Sequence, residues 1–157
     1  MSENVNLDRT DRRILAILQE DATRPVGEIA EAVALSQTAC WKRIKRLERD
    51  RVILRRVALL DRDLLGLGVT VMVAVRTAQH SEKWLEEFAR GVSMIPEVVE
   101  FYRMSGEIDY LLKVVVRDIA DYDRIYRKLT KVANLHDVSS SFAMQEIKST
   151  TALPVLD

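Results

Sequence analysis

Apolar residues in the first third of the chain recur at intervals of three and four, which predicts helices. Asp8 is a candidate N-cap for the first helix, with Asp11 in the capping-box position. A second, short helix is predicted over residues 26–33. A third begins at Ser36, and its apolar stripe consists of Cys40, Ile44 and Leu47. The turn between the last two helices is only about three residues long, which is typical of a helix-turn-helix.

The segment after the third helix has a different pattern. Residues 52–60 are rich in β-branched and aliphatic side chains, with Arg55 and Arg56 in the middle of the run. This composition predicts an extended hairpin, the wing of a winged helix-turn-helix. Residues 61–68 form the predicted connector, because Gly66 and Gly68 interrupt the pattern there.

The remainder of the chain alternates between strand and helix periodicity. The predicted order is strand 69–77, helix 81–95, strand 97–104, strand 110–116, helix 118–132 and strand 137–148. This βαββαβ order predicts a ferredoxin-like α+β sandwich with both helices on one face of an antiparallel sheet. The uncovered face then needs a partner, which predicts dimerisation. We therefore expect an N-terminal domain over residues 1–62 and an oligomerisation domain over 63–157.

Composition excludes several classes of protein. The 157 residues are 48% hydrophobic and 31% charged, which disagrees with disorder and with fibrous proteins. No apolar run reaches the roughly 18 residues of a membrane helix, and the N-terminus lacks the pattern of a signal peptide. The only cysteine, Cys40, lies on the apolar stripe and is expected to be a buried hydrophobe. His80 and His136 are expected at the surface, and they offer no metal-binding spacing. We expect a cytoplasmic protein without metal or cofactor.

A formal net charge of zero conceals an uneven distribution. Residues 1–62 carry a net charge of +3 and residues 63–157 a net charge of −3, while residues 42–56 alone carry +6. A compact basic segment in a neutral chain is the electrostatic pattern of a polyanion-binding surface. The alternative is a solvated helix face.

The third helix supplies the candidates for contact with DNA, since the second helix of such a motif enters the major groove. Ser36 and its neighbours occupy the first turn, where backbone amides and short polar side chains can meet phosphates. Four side chains are candidates for base edges: Gln37, Thr38, Trp41 and Lys42. Candidates for phosphate contact are Arg43, Lys45, Arg46, Arg49, Arg55 and Arg56. Trp41 could instead cover the edge of the core.

Three groups of residues, taken together, resemble the Lrp/AsnC (feast/famine) family of transcription factors. The first is Leu7-Asp8-x-x-Asp11-x-x-Ile14-Leu15, and the second is Leu35-Ser36-x-Thr38-x-Cys40-x-x-Arg43-Ile44-x-Arg46-Leu47-Glu48. The third is Ser105-Gly106-x-x-Asp109-Tyr110-Leu111-Leu112. The resemblance covers about residues 7–155. It implies a winged helix-turn-helix, a domain that binds a small amino-acid effector, and homodimers that assemble into octamers or similar rings on double-stranded DNA.

The same resemblance implies an effector site at the turn that holds Gly106 and Asp109. A glycine lets backbone approach a ligand, and a carboxylate can pair with an ammonium group; capping of the turn is the alternative role for Asp109. The other effector contacts implied are Met104, Glu107 and Tyr110 beside the loop and Ser139, Ser141 and Phe142 on the last strand. The chain departs from the family at Arg51, where a glycine commonly precedes the wing, and at residues 133–137.

Further segments resemble a proteobacterial subgroup that includes activators of cysteine breakdown. They are Cys40-Trp41-Lys42-Arg43, Tyr102-Arg103-Met104, Ser140-Ser141-Phe142-Ala143-Met144 and Thr150-Thr151-Ala152-Leu153-Pro154. This resemblance implies L-cysteine as effector, with other small amino acids as the next candidates. The sequence shows no nucleophile–base pair or phosphate loop, so we do not expect the protein to be an enzyme. The remaining alternative is an architectural DNA-binding protein of the same fold that does not respond to effectors.

We expect the protein in a bacterial or archaeal cytoplasm, at the nucleoid.

Overall fold

The computed structural model describes residues 5–79, 81–132, 135 and 137–155. His80, His136 and residues 133–134 lie outside that part, so the expectations about both histidines and about the connection at 133–137 stay open. The described residues of Met1–Leu59 and Lys148–Asp157 form one compact unit, and those of Leu60–Ile147 form a second.

The first unit contains three helices: α1 (Arg9–Glu20), α2 (Val26–Ala32) and α3 (Gln37–Arg49). The predicted capping box is present, because the amide of Asp11 donates to Asp8 over 2.8 Å and the amide of Asp8 donates to Asp11 over 3.2 Å. The core of this unit lies between the helices and consists mainly of Ile14, Leu15, Ile29, Ala30, Val33, Cys40, Ile44 and Leu47. The predicted helix-turn-helix is therefore confirmed.

Each of the last two helices ends in a left-handed residue that is not glycine. Ala34 after α2 and Arg51 after α3 both have a φ of 57°. In each case the next residue donates its amide back into the helix, from Leu35 to the Ala30 carbonyl and from Val52 to the Leu47 carbonyl, both over 2.9 Å. These are Schellman motifs, which normally take glycine. The glycine missing at Arg51 therefore leaves the turn geometry intact.

The predicted hairpin is not formed by the described residues. Residues 54–60 belong to no helix or strand. The side chains of Leu54, Leu59 and Leu60 are each more than 70% exposed. The β-rich composition of this segment is not enough for a hairpin, because a strand also needs a neighbour for its backbone hydrogen bonds, and the described part of this chain supplies none.

The second unit is the predicted ferredoxin-like sandwich. Its elements are β1 (Val69–Arg76), α4 (Glu82–Ser93), β2 (Val98–Arg103), β3 (Tyr110–Val116), α5 (Ile119–Val132) and β4 (Asp137–Phe142). The sheet is antiparallel, with strand order β2-β3-β1-β4. Both helices pack on the face that presents Val71, Val73 and Val75, which are fully buried.

The last strand is shorter than the predicted 137–148. Its pairing with β1 ends where Phe142 lies opposite Val71 and the amide of Ala143 donates to the Thr70 carbonyl over 2.9 Å. Because the two strands are antiparallel and β1 begins at Val69, residues beyond Ala143 have almost no part of β1 left to pair with. Residues 148–155 instead belong to the first unit, where Val155 packs against the helical core and Gln19 holds the backbone of Leu153 through two hydrogen bonds.

Candidate functional site

Helix α3 has one buried face and one exposed basic face. Ser36 caps it, because the Ser36 hydroxyl accepts the amide of Ala39 over 3.2 Å. The stripe of Cys40, Ile44 and Leu47 is at most 2% exposed. On the opposite side, spaced at i, i+4, i+7 and i+11, lie the exposed residues Thr38, Lys42, Lys45 and Arg49. We call these four the outer stripe.

Trp41 lies at the side of the outer stripe, with 49% of its surface exposed. Gln37, in the first turn, is also exposed. Lys42 has no carboxylate partner among the described residues, whereas Lys45 pairs with Glu48 over 2.7 Å. A large aromatic side chain and a free ammonium group are therefore presented together to solvent. The alternative role for Trp41, covering the core edge, accounts for only half of its surface.

Arg43 and Arg46 have a different environment from the outer stripe. Asp11, which is 1% exposed at its side chain, pairs with Arg43 over 2.9 Å and also pairs with Arg46. Arg43 makes a second ion pair with Asp8 over 2.5 Å. Both arginines thus join α3 to the beginning of α1. They form an internal ion-pair cluster with Asp8 and Asp11. These two carboxylates lie outside residues 42–56, so the net charge of that segment did not include them.

The ion-pair cluster also lowers the pKa of one of its carboxyl groups. The hydrogen bond from Arg43 lowers the pKa of Asp8 below its usual value, with a further contribution from the backbone amide of Asp11. The pKa of the Cys40 thiol is raised by burial. A thiol with a raised pKa carries little thiolate at neutral pH, which agrees with Cys40 as part of the core.

The two arginines in the segment that follows α3, Arg55 and Arg56, are exposed. Arg56 pairs with Glu48 over 3.2 Å, and Arg55 has no carboxylate partner among the described residues. Arg51, at the Schellman turn, likewise has no such partner in the described part of the chain. Unpaired cations are therefore found at Lys42, Arg51 and Arg55, all in the first unit.

In the second unit, Asp109 closes the loop between β2 and β3. Its carboxylate Oδ2 accepts the amide of Thr77 over 2.8 Å, and its backbone carbonyl accepts the amide of Met104 over 2.8 Å. The Asp109 carboxylate thus joins this loop to the residue that follows β1, while the Asp109 backbone closes the loop itself. The loop glycine, Gly106, has a φ of 121° and open space on all sides where a Cβ would lie. Met104 and Glu107 are exposed beside it.

The remaining candidates for effector contact do not lie together in one chain. Tyr110 is 4% exposed and its ring packs between Trp84, Phe88 and Phe101, so it is a core residue. Phe142 lies on the helix side and packs edge-on against Tyr122. Ser139 and Ser141 pair with Ala74 and Met72 and thus lie on the uncovered face. Side chains on opposite faces of a sheet cannot line one pocket.

The uncovered face also carries a polar network that the sequence did not reveal. Tyr102 donates to Glu100 over 2.7 Å, and Lys113 donates to the same carboxylate over 3.1 Å. These two bonds lower the pKa of Glu100, the Tyr102 hydroxyl contributing most. Register pairs Glu100 with Lys113 on adjacent strands. Once the strands were aligned, opposite charges at such positions would have been the signal.

The fold and the exposed basic helix define a helix-turn-helix DNA-binding protein joined to a ferredoxin-like domain. The Lrp/AsnC ligand binding domain model matches residues 70–153, and the AsnC-type helix-turn-helix domain model matches residues 7–48. The chain therefore belongs to the Lrp/AsnC family of transcriptional regulators.

Several relatives are similar over nearly their whole length. The glutamate uptake regulatory protein of Zymomonas mobilis is 51% identical over 95% of this chain and 91% of its own length. The DNA-binding transcriptional activator DecR of Escherichia coli is 49% identical over 95% of this chain and 99% of its own length. Both are named as regulators, neither as an enzyme.

Two solved structures share the fold at high similarity. An AsnC family transcriptional regulator from Agrobacterium tumefaciens superposes with a TM-score of 0.93 at 56% identity, covering 95% of this chain and 97% of that one. A transcriptional regulator from Neisseria meningitidis, solved as a complex with L-Met, superposes with a TM-score of 0.89 at 34% identity. The match covers 96% of this chain and 97% of that one. In the described part of this chain no helix is both long and apolar enough to cross a membrane.

Proposed function

We propose that this protein binds DNA sequence-specifically through α3 and regulates genes of amino-acid metabolism in response to a small amino acid. The observation that carries the proposal is the outer stripe, which presents a hydroxyl and three cations along one exposed side of a capped helix, with Trp41 and Gln37 beside it. Helices of this kind read base edges with their first turns and contact phosphates with flanking cations. Arg55 and Arg56 extend the positive surface along the DNA backbone.

Fluorescence anisotropy with a labelled duplex tests the DNA half of this proposal. Lys42→Ala removes a cation that makes no internal ion pair, and we expect the salt slope of binding to fall by about 0.9. Lys131→Ala, an exposed lysine of the second unit, is the matched control. Equal affinity and slope for Lys42→Ala and the parent would exclude α3 as the DNA-binding element. Arg43 and Arg46 are unsuitable for this test, because their loss would also break the ion-pair cluster.

For the effector we propose a small amino acid, with L-cysteine first, held at the loop that contains Gly106 and Asp109. The subgroup resemblance supports cysteine, while the names of relatives also bring glutamate and methionine into the test. Oδ2 of Asp109 is bound to Thr77, and its other carboxylate oxygen makes no hydrogen bond with the described residues. That oxygen can accept an ammonium group. Met104 and Glu107 supply further contacts from the same loop.

Calorimetry against all the common amino acids, with cysteine kept reduced, tests the effector site. Asp109→Asn retains an oxygen for the Thr77 amide and removes the charge, so it separates ligand binding from loop structure. We expect amino-acid binding to weaken at least tenfold. Undiminished binding by this variant would exclude Asp109 as the ammonium partner. No response to any amino acid would favour the architectural alternative.

We further propose that two copies pair through the uncovered sheet face and that dimers assemble into octamers or similar rings. Ser139 and Ser141 lie two strands from β3, so they would meet an effector only if it lies between copies. A dimer would place two α3 helices in successive major grooves. The proposed target places the protein in the cytoplasm, at the nucleoid.

A further inference from the structure

Arg43 has two acidic partners that differ in exposure. Its side chain is 31% exposed; that of Asp11 is 1% exposed and that of Asp8 52% exposed. Asp11 also holds Arg46 and the amide of Asp8, so Asp11 is a fixed member of the ion-pair cluster. Asp8 meets Arg43 at the solvent boundary, where a carboxylate can leave its partner at little cost in desolvation.

Both ion pairs of Arg43 use the same nitrogen, Nη1. The remaining N–H groups of this guanidinium make no hydrogen bond with the described residues. An arginine fork binds two oxygens of a carboxylate or a phosphate side by side. Arg43 is therefore anchored by Asp11 at one atom and has unused donors toward solvent, on the flank of the helix that we propose to bind DNA.

We propose that Asp8 occupies, in the DNA-free protein, the position beside Arg43 that a DNA phosphate takes in the complex. Asp8 is then a built-in competitor that weakens DNA binding, and Asp11 keeps Arg43 in place during the exchange. The inference rests on the proposed function, since it requires α3 to bind DNA. It assigns Asp8 a role beyond capping α1.

The two roles of Asp8 can be separated by substitution. Asp8→Asn keeps an oxygen to accept the amide of Asp11, because asparagine caps helices as well as aspartate does. It removes only the charge that holds Arg43. We expect Asp8→Asn to bind a mixed-sequence labelled duplex about three- to tenfold more tightly at low salt, with a salt slope steeper by up to about 0.9. A residue that merely caps a helix would not change that slope.

Two controls make the test specific. Asp21→Asn removes the same charge at the other end of α1, where the carboxylate bonds to Thr23 and, among the described residues, to no arginine; it should leave the salt slope unchanged. In an Arg43→Gln background, Asp8→Asn should give no gain in affinity. Asp8→Ser, which also preserves a cap, repeats the measurement should the asparagine variant fold poorly.

The outcomes distinguish this inference from the proposed function. A gain in affinity for Asp8→Asn that is absent in Asp21→Asn and in the Arg43→Gln background supports the competitor role. Equal affinity and slope for Asp8→Asn, Asp21→Asn and the parent overturn it, while loss of affinity in Lys42→Ala still upholds DNA binding by α3. If Lys42→Ala binds as the parent does, both proposals are overturned.

Discussion

A single backbone conformation at Arg51 illustrates how local strain and charge are combined in this protein. With a φ of 57°, Arg51 occupies the left-handed region, which costs a side-chain-bearing residue about 1–2 kcal/mol. The Schellman hydrogen bonds hold it there. Glycine at this position would relieve the strain but lose an exposed cation beside the basic helix.

We therefore expect Arg51→Gly to raise the free energy of unfolding of the first unit by about 0.5–1 kcal/mol, since the relief of left-handed strain exceeds the entropy that glycine adds to the unfolded chain. Ala34→Gly should stabilise by a similar amount without any change of charge. Urea denaturation followed by circular dichroism measures both. A loss of stability in Ala34→Gly would contradict the strain assigned to these turns.

Asp121 gives a prediction about pH. Hydrogen bonds from Arg117 and Arg124 lower its pKa from 3.8 to about 2. A carboxyl group whose pKa is lowered by folding stabilises the folded state above its ordinary pKa, and this contribution disappears as the pH falls toward the folded value. Asp121→Asn should thus be less stable than the parent at pH 7, and the difference should shrink between pH 4 and pH 2.

Urea unfolding of the second unit, followed by the fluorescence of the buried Trp84, measures this dependence on pH. Asp123→Asn is the control, because Asp123 pairs with Arg127 at the exposed surface. A difference between Asp121→Asn and the parent that stays constant from pH 7 to pH 2 would show that the ion pairs of Asp121 do not contribute.

At the scale of elements, the two helices of the second unit approach closely at one glycine. A Cβ on Gly91 in α4 would lie 2.3 Å from Val132 in α5, so Gly91→Ala forces the helices apart. We expect it to destabilise the second unit by about 2–3 kcal/mol, as over-packing of a core does. Gly27→Ala in α2 is the contrasting case, because no atom lies within 4 Å; it should stabilise by about 0.5–1 kcal/mol. Thermal unfolding distinguishes the two, and equal effects would refute the packing argument.

Features that depend on neighbouring residues in the sequence could be predicted, and features that depend on contacts between distant residues could not. The caps at Asp8 and Ser36 lie within three residues of the amides that they bind, so the sequence predicted them correctly. The pairing of Asp8 with Arg43 joins residues 35 positions apart and has no local signal.

The candidate sites show the same division. Periodicity of α3 correctly separated the outer stripe from the core, since both follow from one helix axis. The predicted strand begins at Tyr110, but only the pairing of β3 with β1 shows that the ring lies on the helix side of the sheet. Which sheet face a residue occupies depends on register, and register is fixed by neighbouring strands.

The uncovered sheet face of the second unit is the surface through which we propose that two copies pair. Leu111 lies in its centre, opposite Ala74 on one neighbouring strand and Tyr102 on the other. We expect Leu111→Glu to shift the protein toward monomers in light scattering, because a carboxylate would be buried without a partner between two sheets. Leu64→Glu, at a side chain that is 87% exposed, is the control. An unchanged mass for Leu111→Glu would exclude this face as the dimer interface.

The burial of Cys40 has a consequence for how the protein can perceive its surroundings. This thiol is the only one in the chain and is completely enclosed in the helical core. Disulfides and other thiol-directed reagents therefore find no thiol to react with while the fold is intact. Should cysteine prove to be the effector, it must be recognised by shape and charge alone, without a mixed disulfide. The regulator would then report the amount of the amino acid without a thiol switch of its own.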